Sequence, residues 1–137
     1  MPITPDIKDN LIAAALDATK HSYAPYSEFL VGAALLTGDG RIFTGCNVEN
    51  ASYGLTICAE RNAICAAVTA SQATPQGKIK ITAIAAFTSM RDACSPCGAC
   101  RQFIAEFSAS DTVVFYQGKD GVVETTMAEL LPDGFRF

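Results

Sequence analysis

Charged side chains are scarce in this chain. They make up 18% of its 137 residues, 10 Lys and Arg against 14 Asp and Glu, for a net charge of −4. Without a basic surplus there is no face to hold a phosphate backbone, which argues against nucleic acid as a partner. Long apolar runs are also missing. Lys, Asp, Glu or Gly interrupts every hydrophobic stretch before it reaches the roughly 20 residues that cross a bilayer, so no membrane role is expected. The start, MPITPDIKDN, has neither the basic region nor the apolar region of a secretory leader. No repeat, linker or low-complexity segment interrupts the chain, and its length suits one domain over residues 1–137.

What is abundant is apolar residues, at 50%. A chain of this size buries about two-thirds of its unfolded surface, enough for a true core. The apolar share exceeds what a small domain alone needs, so part of the surface is expected against a partner. Six cysteines are present: Cys46, Cys58, Cys65, Cys94, Cys97 and Cys100. The expected compartment is the cytoplasm, where thiols stay reduced.

Hydrophobic periodicity predicts a helix over 6–21, with Ile7, Leu11, Ala14, Ala15 and Ala18 on one stripe. A turn around Pro25 follows, then a hairpin of strands 29–36 and 41–48 joined at Gly38-Asp39-Gly40. Residues 49–57 read as loop, 58–70 as helix, 71–78 as connection and 79–88 as a buried strand. After a loop ending at Pro96 come a helix over 97–108, strands 112–117 and 122–126, and a short helix near 126–131. Helices between strands make this an α/β chain with a sheet covered on both faces. Only Gly118-Lys119-Asp120-Gly121 separates the last two strands, too few residues for a parallel return, so that pair is antiparallel.

Cys97 and Cys100 fall at i and i+3 on the first turn of a helix, so their sulfurs share a face. Cys58 opens another helix. Helix N-termini favour thiolates, and three thiolates brought together suit zinc. Glu60, two residues after Cys58, can reach the open side of such a metal and move protons for its bound water. Cys-x-Glu followed by Pro-Cys-x-x-Cys is the cysteine form of the zinc-deaminase signature. Alternatives remain at this level. A lone C-x-x-C also serves redox pairs and structural metals. Cys94 could close a four-thiolate site with Cys58, Cys97 and Cys100, or begin the C-x-x-C-x-x-C spacing of an iron–sulfur cluster. Cys46 and Cys65 read as small core residues. Arg61 or Arg101 could donate hydrogen bonds to the sulfurs, or be ordinary surface charges.

Taken together, YAPYSEFLVGAALL, GCNVENASYG, CAERNAI, SPCGACRQFIAEF and MAELLP resemble the short-chain, homotetrameric cytidine deaminases, over about residues 23–135. The resemblance implies a three-layer α/β/α fold with a five-stranded mixed sheet whose last two strands are antiparallel. It implies zinc-dependent hydrolysis of cytidine and deoxycytidine to uridine and deoxyuridine plus ammonia, in pyrimidine salvage. One Zn2+ per subunit would be bound by Cys58, Cys97 and Cys100. Zinc hydroxide would attack C4 while Glu60 shuttles protons, and Arg61 would hydrogen-bond the ligand thiolates. Substrate-binding positions carried over by resemblance are Phe29, Asn47, Glu49, Ala51, Tyr53, Ala59 and Phe135. Asn47 and Glu49 would hold the ribose hydroxyls, and Tyr53, Ala51 and Phe135 would reach the site of a neighbouring subunit. The implied partners are a small-molecule nucleoside and further copies of the chain, in a tetramer. A related cytosine nucleoside such as blasticidin S is the second substrate reading.

Overall fold

The computed structural model describes residues 2–71, 79–90 and 92–136. The connection expected over 71–78 lies outside them from residue 72 onward. Helix α1 is Pro5–Ala18, helix α2 Ala59–Ser71, helix α3 Gly98–Glu106 and helix α4 Met127–Leu130. The strands are β1 Val31–Thr37, β2 Ile42–Cys46, β3 Ile81–Thr88, β4 Ser108–Gly118 and β5 Gly121–Thr126. They form one open sheet in the order β2-β1-β3-β4-β5. Strand β1 pairs antiparallel with both β2 and β3, β3 pairs parallel with β4, and β4 pairs antiparallel with β5. The mixed sheet and its antiparallel last pair agree with the expectation from the four-residue connection.

The handedness of crossovers explains where the helices lie. β2 and β3 run the same way, and so do β3 and β4. Each pair is joined through a helix, α2 and then α3, and each step moves in the same direction across the sheet. Right-handed connections therefore place α2 and α3 on one face, with both N-termini at the end where β2 and β3 finish. The packing agrees: α2, α3 and α4 cover Ala33, Leu35, Ile81, Ile84 and Val114. Helix α1 covers the alternate side chains, Ala34, Leu36, Ala83, Ala85 and Phe115. Both faces of the central strands are buried, which gives the nearly unbroken apolar run of β3.

Two glycines let the helices sit close. A Cβ on Gly32 would lie 1.9 Å from the Ala15 carbonyl oxygen in α1. A Cβ on Gly45 would lie 2.3 Å from the Ala63 amide nitrogen and 2.6 Å from the Ala59 carbonyl oxygen in α2. Asn62 Nδ2 adds a 2.8 Å hydrogen bond to the Cys46 carbonyl, fixing α2 along β2.

Several boundaries differ from the sequence reading: β1 and β3 each begin two residues later, β2 is shortened to Ile42–Cys46, and three further ends have a clear local cause. The first helix ends at Ala18 and continues as a 3-10 turn over Thr19–His21, where the Thr19 hydroxyl bonds the Leu16 carbonyl. The third helix ends at Glu106, and β4 begins at Ser108, four residues before the predicted start. There Ser108 pairs with Ile81, and the register then jumps to Val113 opposite Ala83. Thr112 bridges that irregularity: its hydroxyl donates to Ile81 O at 2.8 Å and accepts from Ala109 N at 3.0 Å. The polar SASD segment carries no strand alternation for a pattern argument to use.

Candidate active site

The end of the sheet where α2 and α3 begin gathers the cysteines. Cys58 lies just before α2, and its carbonyl accepts from Asn62 N at 3.1 Å in the first turn. Cys97 is the N-cap of α3, with an extended backbone, and its carbonyl accepts from Arg101 N at 2.9 Å. Cys100 is buried one turn further on. The sulfurs of Cys58, Cys97 and Cys100 all lie within 4.8 Å of one another, and those of Cys58 and Cys97 are 3.9 Å apart. Tetrahedral zinc with bonds of about 2.3 Å sets its sulfurs about 3.8 Å apart, so this donor set fits the ion. Cys94 is not part of the group. Its amide bonds Gln117 O at 2.8 Å, tying the approach to α3 onto the end of β4.

The electrostatics set Cys58 apart from its neighbours. A hydrogen bond from the Cys100 thiol, with Arg61 beside it, brings Cys58 down to about 5. Cys100 moves the other way, because it is the donor to Cys58 and is itself desolvated. Arg61 Nη2 donates to Cys58 Sγ at 3.3 Å and to Thr56 O at 3.5 Å. Arg61 Nε is buried without a hydrogen-bond partner among the described residues. Glu60 is 5% exposed, and burial lifts its carboxyl above the ordinary range, with the charge at Cys58 adding to the effect. Burial pushes the Cys94 thiol up to about 12, with Glu60 and Cys58 contributing.

Arg101 does neither of the things weighed for it in the sequence. Its guanidinium bonds Pro96 O at 2.8 Å and Leu130 O at 3.1 Å, joining the cysteine loop to the end of α4. Cys65 is exposed on α2 rather than a core residue, and Cys46 is half-buried at the end of β2.

A short ladder continues the site beyond the metal ligands. Val48 and Ile57 form an antiparallel bridge with reciprocal 2.9 Å hydrogen bonds. That bridge sets Asn47 alongside Cys58 and Glu49 alongside Thr56. Asn47 is 8% exposed; its Oδ1 accepts from Val31 N at 2.9 Å and its Nδ2 donates to Phe29 O at 2.7 Å. Glu49 Oε1 accepts from Tyr26 N at 2.9 Å and Ser27 N at 3.1 Å, and Glu49 Oε2 accepts from the Ser27 hydroxyl. These bonds hold the Glu49 carboxyl below its usual range. Tyr26, Ser27, Glu49, Tyr53 and Thr56 line an open cavity of about 290 Å³. The rings of Tyr26 and Tyr53 meet edge to face at 5.8 Å.

Of the other positions, Phe29 is half-buried, Ala59 is buried at the start of α2 and Ala51 is exposed on the loop. Tyr53, on a one-turn 3-10 helix, is 74% exposed, and Phe135 is 67% exposed. Gln102 Nε2, on α3, bonds Phe135 O at 2.9 Å. The sequence reading missed Tyr26, Ser27 and Thr56 as cavity residues. The only signal for the first two was their place in YAPYSEFLVGAALL.

Residues 5–117 match the family described as "Cytidine and deoxycytidylate deaminase zinc-binding region". The chain is 45% identical over 126 residues to a cytidine deaminase of Halalkalibacterium halodurans, covering 91% of each. It is 42% identical over 132 residues to the Mycobacterium tuberculosis cytidine deaminase, covering 96% of this chain and 92% of that one. The crystal structure of cytidine deaminase from Burkholderia pseudomallei superposes with a TM-score of 0.81 at 44% identity, over 93% of this chain and 98% of that one. A mixed-sheet α/β fold with a cysteine cluster suited to zinc thus defines a zinc-binding deaminase. Within that class the chain belongs to the cytidine deaminase family of hydrolytic deaminases.

Proposed function

We propose that the chain binds one Zn2+ through Cys58, Cys97 and Cys100 and hydrolyses cytidine and deoxycytidine to uridine and deoxyuridine plus ammonia. The observation that carries this reading is the cluster of three cysteine sulfurs at two helix N-termini, beside the buried Glu60. Zinc, when bound, supplies the Lewis acidity that lets water ionise near neutral pH. Three thiolates leave the ion electron-rich. Arg61, donating to Cys58 Sγ, and the two helix N-termini offset that charge. Glu60 takes the proton that water gives up and delivers it to N3 of the cytosine ring. With a C–O bond formed at C4, Glu60 takes the second proton from that hydroxyl and hands it to the amino group, so that the C–N bond breaks, ammonia leaves and the C4 oxygen becomes a carbonyl. Burial raises the proton affinity of Glu60, which suits a group that takes a proton from water and passes it on.

Asn47 and Glu49 receive the sugar. A diol needs an acceptor carboxylate and an amide able to donate and accept. Both stand on the ladder that runs past Cys58. Phe29 and Ala59 flank the pyrimidine, and Ala51, Tyr53 and Phe135 serve the site of a neighbouring copy in a tetramer. Exposed Tyr23, Val48 and Ile57 are linked by backbone bridges, and exposed Tyr53 meets Tyr26. Apolar surface of this kind marks an interface. All six cysteines are free, in keeping with a single domain over residues 1–137 working in the reducing cytoplasm on free nucleosides of pyrimidine salvage.

The test is direct. Purified protein with one equivalent of zinc is given cytidine, and loss of the cytosine absorbance is followed together with ammonia. Equimolar uridine and ammonia are expected. A zinc-loaded protein that leaves cytidine and deoxycytidine untouched overturns the reading.

A further inference from the structure

The loop before β1 is held in an unusual way. Ser27 makes three hydrogen bonds at the site through its amide and its hydroxyl. Its amide donates to Glu49 Oε1 at 3.1 Å and its hydroxyl donates to Glu49 Oε2. The same hydroxyl oxygen accepts from Phe29 N at 3.0 Å. One hydroxyl therefore joins the carboxylate proposed to hold the sugar to the backbone of the residue proposed to flank the base. The next residue, Glu28, has φ of 59°, so the chain turns sharply where Ser27 makes these contacts.

Counting acceptor sites shows what this does to Glu49. An ionised carboxylate offers about four lone-pair positions. Tyr26 N and Ser27 N take two on Oε1, and the Ser27 hydroxyl takes one on Oε2. One position on Oε2 remains for a ligand, in the cavity that Glu49 lines with Ser27, Tyr26, Tyr53 and Thr56. Without the Ser27 hydroxyl, Oε2 would have two open positions and the carboxylate one fewer anchor. A hydrogen bond from a sugar hydroxyl would then be shared among more orientations.

We infer that Ser27 is a positioning residue for sugar recognition: its hydroxyl aims the one remaining acceptor of Glu49 at a substrate hydroxyl and ties that aim to the Phe29 backbone. The inference rests on the reading that Glu49 receives the sugar.

The experiment is a cycle of enzyme and substrate deletions. Wild type, Ser27→Ala, Ser27→Thr and Glu49→Gln are assayed, zinc-loaded, on cytidine, 2′-deoxycytidine and 3′-deoxycytidine. Hydrogen bonds to charged groups contribute enough that loss of one acts at about tenfold. Ser27→Ala should lower kcat/KM for cytidine about tenfold, carried by KM, with kcat within about twofold. The loss should shrink on the same deoxy analogue on which the Glu49→Gln loss shrinks. Ser27→Thr, which keeps the hydroxyl, should restore most of the wild-type KM. If Glu49→Gln discriminates among the three substrates while Ser27→Ala weakens all three equally, the role of Ser27 is merely structural and the inference fails alone. If Glu49→Gln does not discriminate, the sugar reading of Glu49 fails and the inference falls with it.

Discussion

The two faces of the sheet are built by the same device and put to different use. On one face α1 rests on Gly32, and Leu11, Ala15, Ala34, Phe87 and Phe115 pack with no polar chemistry among them. On the other, α2 rests on Gly45, and the same close approach sets Cys58, Glu60 and Arg61 at the sheet's edge, beside the start of α3. In both, a missing Cβ lets helix backbone touch strand backbone. On the α1 face that contact contributes stability. On the α2 face it also fixes where a thiol and a carboxyl stand, so packing there is part of the chemistry.

Cys100→Ser strikes the second face hardest. One thiolate of three is lost, so zinc content should fall below one tenth of an equivalent and activity to background, while α1 packing is untouched. Metal analysis and the cytidine assay check this. A Cys100→Ser protein that keeps a full equivalent of zinc would remove Cys100 from the ligand set.

Next in size comes the paired substitution that separates the faces. Gly32→Ala and Gly45→Ala each force a Cβ into helix backbone and should each lower stability by about 2–3 kcal/mol, read as a fall in Tm. Only Gly45→Ala should also raise the rate of zinc loss to a chelator and lower kcat, because only it displaces Cys58 and Glu60. Equal chelation rates in the two variants would show that the two contacts are interchangeable.

The smallest effect is expected at Cys94. It stands outside the group of sulfurs formed by Cys58, Cys97 and Cys100. Cys94→Ser should keep its zinc and a kcat within about twofold of wild type, as measured by metal content and turnover. Loss of both would restore the closed four-thiolate alternative.

Much of this was legible in the sequence because it is local. The C-x-E and C-x-x-C spacings need only a helix turn to aim their side chains, and the GKDG connection is too short for anything but an antiparallel return. What escaped is long-range. Ser27 meets Glu49 across 22 residues, and Arg101 meets Leu130 across 29. No periodicity announces such pairs. Arg101 illustrates the difficulty well, since sitting next to Cys100 suggests a bond to sulfur. On a helix, adjacent residues face different ways, and its guanidinium goes to two carbonyls instead. The early start of β4 was hidden for a related reason: a Thr112 hydroxyl, not strand alternation, secures it.

The central claim is that a zinc-bearing cluster and a separate proton carrier stand side by side at the edge of α2. Glu60→Gln tests it most directly, since the amide keeps the shape of the side chain and cannot carry the proton. Zinc content and kcat for cytidine are measured on the same preparation. The account predicts one equivalent of zinc, as in wild type, and kcat lower by about 10²–10⁴-fold. A Glu60→Gln protein that binds zinc and turns over cytidine at the wild-type rate would contradict it.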